Sequence, residues 1–213
     1  MTYILSEKEY EGADNLPCIM IALKEKDVDL AGLDALIFSS KNGVKAIDRI
    51  NPAWKELPSY SIGQGTSDMV NELGGKVVYS ARSSYGDDFA KEIRTMLKGK
   101  KALFLRAKVV TSSLNTILED AGVLLSEEVV YETQCGDCKT LKKPEKGSYL
   151  IFSSPSTIEC FFNCFSWDES YRAVVIGDKT ASYMPKDVPF TQAPKQTIPS
   201  CIELANKLSK KAL

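Results

Sequence analysis

No histidine occurs anywhere in the 213 residues. That absence removes the Ser-His-Asp triad, the imidazole general base and every His-ligated metal centre. Chemistry in this chain falls to Tyr, Lys, Arg, carboxylates, thiols, hydroxyls or backbone groups. Also missing is any apolar run of the ~18 residues that a membrane helix needs. Residues 1–20 lack the basic start and apolar stretch of a secretory signal. We therefore expect a cytoplasmic chain with no membrane partner, its six cysteines (Cys18, Cys135, Cys138, Cys160, Cys164, Cys201) held as thiols. An excess of one charge is lacking too. The 27 basic and 28 acidic residues leave a formal net charge of −1, which argues against a nucleic-acid partner bound by general phosphate attraction.

What is present is an internal echo. Leu36-Ile-Phe-Ser-Ser-Lys-Asn-Gly-Val returns as Leu150-Ile-Phe-Ser-Ser-Pro-Ser-Thr-Ile, 114 positions on. At the same displacement Ser61-Ile-Gly-Gln-Gly-Thr66 is answered by Val175-Ile-Gly-Asp-Lys-Thr180. A third echo pairs the helical pattern ending at Leu97 with the one ending at Leu208, displaced by 111. Two copies so far apart cannot make a solenoid and read as two similar domains.

Short apolar runs alternate with segments of helical spacing from Leu36 to Tyr131, which predicts an α/β fold with doubly wound parallel sheets. Strands are expected at Tyr3–Ser6, Leu16–Leu23, Leu36–Phe38, Tyr60–Ile62, Val77–Tyr79, Ala102–Leu105 and Glu128–Tyr131, and helices at Asn42–Ile50, Thr66–Leu73, from Tyr85, and at Leu114–Ala121. Glu7–Asn15 is too polar and Gly-containing for a crossover helix and reads as a loop. The second copy has too few strands for a sheet, and the runs at Tyr3 and Leu16 are available to it. We therefore expect residues 1–25 with 134–213 to form one discontinuous domain and 26–133 an inserted one. The charged stretch Lys24–Leu30 and the polar Thr133–Gly147 would join them as a two-stranded hinge beside a cleft.

In such sheets ligands meet the loops at the carboxyl ends of the strands. Both Ser-Ser pairs lie there, each opening a helix whose unpaired N–H groups and dipole favour carboxylate or phosphate. Ser39, Ser40 and Asn42 in one copy, and Ser153, Ser154, Ser156 and Thr157 in the other, add donors. Gly63 with Thr66, and Gly177 with Lys179 and Thr180, supply a second turn in each. Read alone, any of these hydroxyls is equally an N-cap. Neither glycine turn is a dinucleotide fingerprint and the P-loop pattern is missing. Cys135-Gly-Asp-Cys138 has metal-ligand spacing, but without a second pair or a histidine to complete four ligands we expect a solvated pair with no function. Cys160 and Cys164 share a helix face and read as core.

The ordered set Leu36-Ile-Phe-Ser-Ser-Lys-Asn-Gly-Val, Ser61-Ile-Gly-Gln-Gly-Thr, Leu105-Arg106, Glu128-Val-Val-Tyr-Glu-Thr133, Ile151-Phe-Ser-Ser-Pro-Ser-Thr157 and Val175-Ile-Gly-Asp-Lys-Thr-Ala181 resembles that of the uroporphyrinogen-III synthases. The resemblance implies a lyase without cofactor or metal. Its small-molecule substrate, linear hydroxymethylbilane, bears eight carboxylates and closes to uroporphyrinogen III with inversion of the last ring and loss of water. The resemblance points to Tyr131 as the group that assists hydroxyl departure and to Arg106 as a partner for a substrate carboxylate, a surface salt bridge being the plainer role for that arginine. We expect a monomer. The chain departs from the family between its first two strands, where Ser6–Asn15 is too short for the helix usual there. A competing expectation is a two-lobed protein that binds or senses a polyanionic metabolite without chemistry.

Overall fold

The computed structural model describes residues 1–6, 8–81, 85–110 and 112–211. Glu7, where the expected loop Glu7–Asn15 begins, lies outside the described residues. In chain order the elements are β1 (Thr2–Ile4), β2 (Asp14–Asn15), β3 (Ile19–Leu23), β4 (Ala35–Phe38), α1 (Lys41–Ile50), a 3-10 turn (Pro52–Glu56), β5 (Pro58–Ile62), α2 (Gln64–Glu72), β6 (Lys76–Ala81), α3 (Gly86–Leu97), β7 (Lys101–Ala107), α4 (Leu114–Asp120), β8 (Leu124–Cys135), β9 (Tyr149–Phe152), α5 (Pro155–Cys164), β10 (Arg172–Val175), α6 (Asp178–Ala181), β11 (Phe190–Gln192) and α7 (Ile198–Lys211). They form two compact units, Met1–Met20 with Thr133–Leu213, and Ile21–Glu132. The chain passes from one to the other inside β3 and again inside β8.

The unit of residues 21–132 is organised on the sheet order β3-β8-β7-β4-β5-β6. From β8 to β6 every neighbour is parallel. All four residues of β4 are buried, as an apolar run with no polar alternation requires when helices cover both faces. Successive side chains point to opposite faces. Ala35 and Ile37 therefore enter one core with Phe104 and with Phe89, Ile93 and Leu97 of α3. Leu36 and Phe38 enter the other with Leu103, Leu105, Val44 and Ile47 of α1, and Trp54. Each fully buried side chain of this size contributes about 1.5–3 kcal/mol.

The second unit carries the parallel order β11-β10-β9-β1-β2. Here Leu150 and Phe152 of β9 pack with Ile158 and Phe161 of α5, while Tyr149 and Ile151 pack with Cys201, Ile202 and Ala205 of α7. Its central strands have the same neighbours in pattern: β9 lies between β1 and β10 with β11 beyond, as β4 lies between β7 and β5 with β6 beyond.

Several sequence expectations need correction. The run Leu16–Leu23 is not one strand completing the second unit. Pro17 has no N–H to give to a ladder, and the chain divides around it. Asp14–Asn15 pairs with β1, whereas Ile19–Leu23 joins the other sheet beside β8. The strand expected at Glu128–Tyr131 runs from Leu124 to Cys135, so the first residues of the expected linker Thr133–Gly147 are strand. The four cysteines expected as solvated or core thiols are paired instead, Cys135 with Cys160 and Cys138 with Cys164, at Cα separations of 5.1 and 4.9 Å. The fold brings one face of α5 against the end of β8, a juxtaposition that the spacing inside either segment does not reveal. Cys18 and Cys201 are free and buried.

Candidate active site

Parallel pairing brings the carboxyl ends of β4, β7 and β8 to one edge of their sheet, and the first turn of α1 rises from the end of β4. Ser40 caps that helix. Its backbone is extended, its hydroxyl oxygen accepts from the Asn42 N–H at 3.2 Å, and its carbonyl accepts from the Gly43 N–H at 3.0 Å. A side chain at Gly43 would stand 2.8 Å from the Leu105 carbonyl oxygen. Glycine there lets the opening turn of α1 lie directly on β7. A register shift between Arg106 and Ala107 then sets Tyr131 of β8 opposite Ala107, and the Lys108 N–H donates to the Tyr131 carbonyl at 2.9 Å.

The Tyr131 ring is 6% exposed and packs in the core that holds Phe38, Val44 and Leu105. Burial pushes its phenol above the ordinary value of 10.0, and a hydrogen bond with the Ser40 side chain works in the opposite direction. The phenol is protonated throughout the neutral range. The Ser40 cap with its Asn42 N–H, and the Tyr131 phenol that the Ser40 side chain influences, thus lie at a helix start, where the dipole favours an anion. Ser39 and Asn42 are half-buried on the same turn.

The other expected residues divide clearly. Gly63 caps α2 with φ 70°, a left-handed backbone that glycine adopts without strain, and open space lies where a side chain would be. Thr66 is buried. Beneath this turn the Ser61 and Ser67 hydroxyls lie 2.8 Å apart and Ser67 donates to Ser80 at 2.6 Å, a network that sequence reasoning missed. Arg106 lines a pocket of about 380 Å³ with Lys108, Ser112 and Asn115. Its Nε donates to Glu127 Oε2 at 2.6 Å, and its Nη1 to the carbonyls of Ala107 and Lys108 at 3.0 and 3.3 Å. The salt bridge, the plainer of the two roles weighed for this side chain, is what the structure contains. Glu127 was not anticipated because only strand register, which pairs its residue with Phe104, brings it near.

In the second unit, Ser153 and Ser154 open α5 and Ser156 is half-buried in its first turn. Thr157 is fully buried; its hydroxyl donates to the Ser154 carbonyl at 2.6 Å, and the Ser154 N–H donates back to its oxygen at 3.3 Å. That closed exchange makes Thr157 a capping residue. Gly177 is extended and buried against Gln196, Thr180 is buried, and Lys179 is exposed. The half-buried serines remain as the binding candidates of this unit.

The family model described as uroporphyrinogen-III synthase HemD matches residues 13–203. The crystal structure of uroporphyrinogen-III synthetase from Helicobacter pylori 26695 is similar at 28% identity and a TM-score of 0.84, over 97% of this chain and 98% of that one. A mutant uroporphyrinogen III synthase from the extremely thermophilic bacterium Thermus thermophilus shares the fold at 11% identity and a TM-score of 0.60, over 100% of this chain and 99% of that one. No curated protein matches the sequence at a significant level. With a family model spanning nearly its whole length, the chain belongs to the uroporphyrinogen-III synthase family.

Proposed function

We propose that this family member is a cyclising lyase that converts hydroxymethylbilane to uroporphyrinogen III without a cofactor, with Tyr131 assisting departure of the hydroxyl. The observation that carries the residue assignment is the burial of Tyr131 in the core that seats the first turn of α1, the turn capped by Ser40. A protonated phenol there donates to the leaving oxygen, so the C–O bond breaks as the hydroxyl takes a proton and leaves as water. The remaining terminal ring is an electrophilic azafulvene. Attack by the pyrrole at the far end through its already substituted carbon, followed by rearrangement, inverts that ring, and the proton released on rearomatisation restores the phenol.

Free bilane closes without inversion, so the larger task is conformational: holding the two ends so that the inverting path has the lower barrier. The turns proposed to engage substrate carboxylates are those at Ser39–Asn42, at Gly63 and at Ser153–Ser156. We read the two units, Met1–Met20 with Thr133–Leu213 and Ile21–Glu132, as duplicated domains of that enzyme; the matching strand neighbours of β4 and β9 support the reading. Freshly prepared hydroxymethylbilane incubated with the protein should yield isomer III in place of isomer I. Isomer I alone, with ligand-induced compaction, would make the protein a binder.

A further inference from the structure

We propose that Cys135, Cys138, Cys160 and Cys164 form, in the reduced chain, a four-thiolate site for a thiophilic d¹⁰ cation of the Zn²⁺ class. The four come from two segments whose spacings complement each other. Cys135 ends β8 and Cys138 follows three residues later, in a turn where Asp137 accepts from the Lys139 N–H at 3.0 Å and from the Thr140 N–H and hydroxyl at 3.0 and 2.8 Å. Gly136 gives its N–H to the Cys18 carbonyl at 2.8 Å, and a side chain there would meet the Pro17 carbonyl at 2.6 Å. That turn is fixed by its backbone, independently of the sulfurs. Cys160 and Cys164 stand four apart on α5, so both point to one face with Cβ atoms about 5–6 Å apart.

The two segments face each other at Cα separations of 5.1 and 4.9 Å. Four sulfurs are thereby confined to a patch one helical turn long and one disulfide wide. Tetrahedral zinc at about 2.3 Å from each thiolate needs sulfurs about 3.8 Å apart, which χ1 rotation delivers once the two cross-links are open. While they are closed, the described residues contain no group of three or more His, Cys, Asp or Glu arranged to hold a metal ion. Cys135 and Cys138 are exposed, Cys164 is half-buried and Cys160 is buried, so the site has one open side. The remaining thiols do not compete: Cys18 and Cys201 are buried, and burial pushes them up to about 12 and about 11.

The interconversion balances. Each disulfide takes two electrons and two protons from an external dithiol, which leaves as its own disulfide. One dication then displaces four protons and leaves a tetrathiolate of charge −2. Binding displaces the thiol protons, so uptake weakens as pH falls. Under oxidising conditions disulfides tie α5 to the end of β8, and under reducing conditions a metal does.

The test reduces the purified chain with a phosphine under argon, removes the phosphine and titrates with Co²⁺. One equivalent should produce thiolate-to-cobalt charge-transfer bands and the intense visible bands of tetrahedral sulfur coordination, both abolished by one equivalent of Zn²⁺. The oxidised chain should produce neither, and Cys138→Ser with Cys164→Ser should lose them. The proposal is overturned if the reduced parent chain shows no such bands, or if the double variant shows them undiminished.

Discussion

Gly43 decides whether α1 is truly seated on β7. In an open helix, replacing glycine by alanine gains up to about 1 kcal/mol, because alanine loses less conformational freedom on folding. At Gly43 the new methyl would stand 2.8 Å from the Leu105 carbonyl oxygen, a main-chain atom of a strand paired on both sides, so it cannot rotate away. The helix must lift instead, parting Val44 and Ile47 from Phe38 and Leu105. Overpacking of this kind costs typically about 1–3 kcal/mol, and the obstruction is backbone, so the upper half of that range applies. After the propensity gain, Gly43→Ala should be less stable by about 1–2 kcal/mol. Urea unfolding followed by the emission of Trp54, buried in the same core, measures it in a Trp167→Phe background. At Gly65 on α2 nothing lies within 4 Å of where a methyl would stand, so Gly65→Ala should gain about 0.4–1 kcal/mol. Equal or greater stability of Gly43→Ala, with an unchanged denaturant slope, would refute the close approach and with it the placement of Ser40 beside Tyr131.

Three further outcomes follow from the described contacts. Tyr131→Phe should lower turnover of hydroxymethylbilane about 10²–10⁴-fold while the unfolding midpoint moves little, and near-parental turnover would remove Tyr131 from the chemistry. For Asp48, burial works upward, but hydrogen bonds from Lys55 and Trp54 and the Lys55 charge hold it below its ordinary 3.8. A depressed value in the folded state stabilises above 3.8 and is lost as pH falls through the lower folded value, so the deficit of Asp48→Asn at neutral pH should close in stronger acid, as urea midpoints across pH will register. Reduction without metal should destabilise the chain by about 3 kcal/mol, because a cross-link closing 25 or 26 residues removes about that much unfolded-state entropy. The second cross-link lies beside the first and adds little, so Cys138→Ser with Cys164→Ser should retain most of the effect in an oxidising denaturation series.

The alternation of strand and helix was legible because its signals are local: Leu36–Phe38 and Leu150–Phe152 are wholly buried runs, and α1 carries its buried positions at helical spacing. What escaped depends on distant chain. Phe190–Gln192 is an exposed edge strand and has no apolar pattern to announce it. The allegiance of Ile19–Leu23 follows from the length of β8. At the candidate site, the sequence singled out the turns but could not separate a half-buried serine, such as Ser153, from a hydroxyl closed on its own cap, such as that of Thr157. Nor could it see which carboxylate meets Arg106, or that the helix face of Cys160 and Cys164 supplies the second pair that Cys135 and Cys138 lack.

The pairing of Thr2–Ile4 with Tyr149–Ile151 has a consequence for synthesis. β1 is interior to its sheet, yet the neighbour that it needs is made 147 residues later. At about 5–20 residues per second that is a wait of roughly 7–30 s, long enough for residues 21–132 to fold first. During that interval Tyr3, Ile4 and Leu5 stand unsheltered, and a nascent-chain chaperone would find its window there.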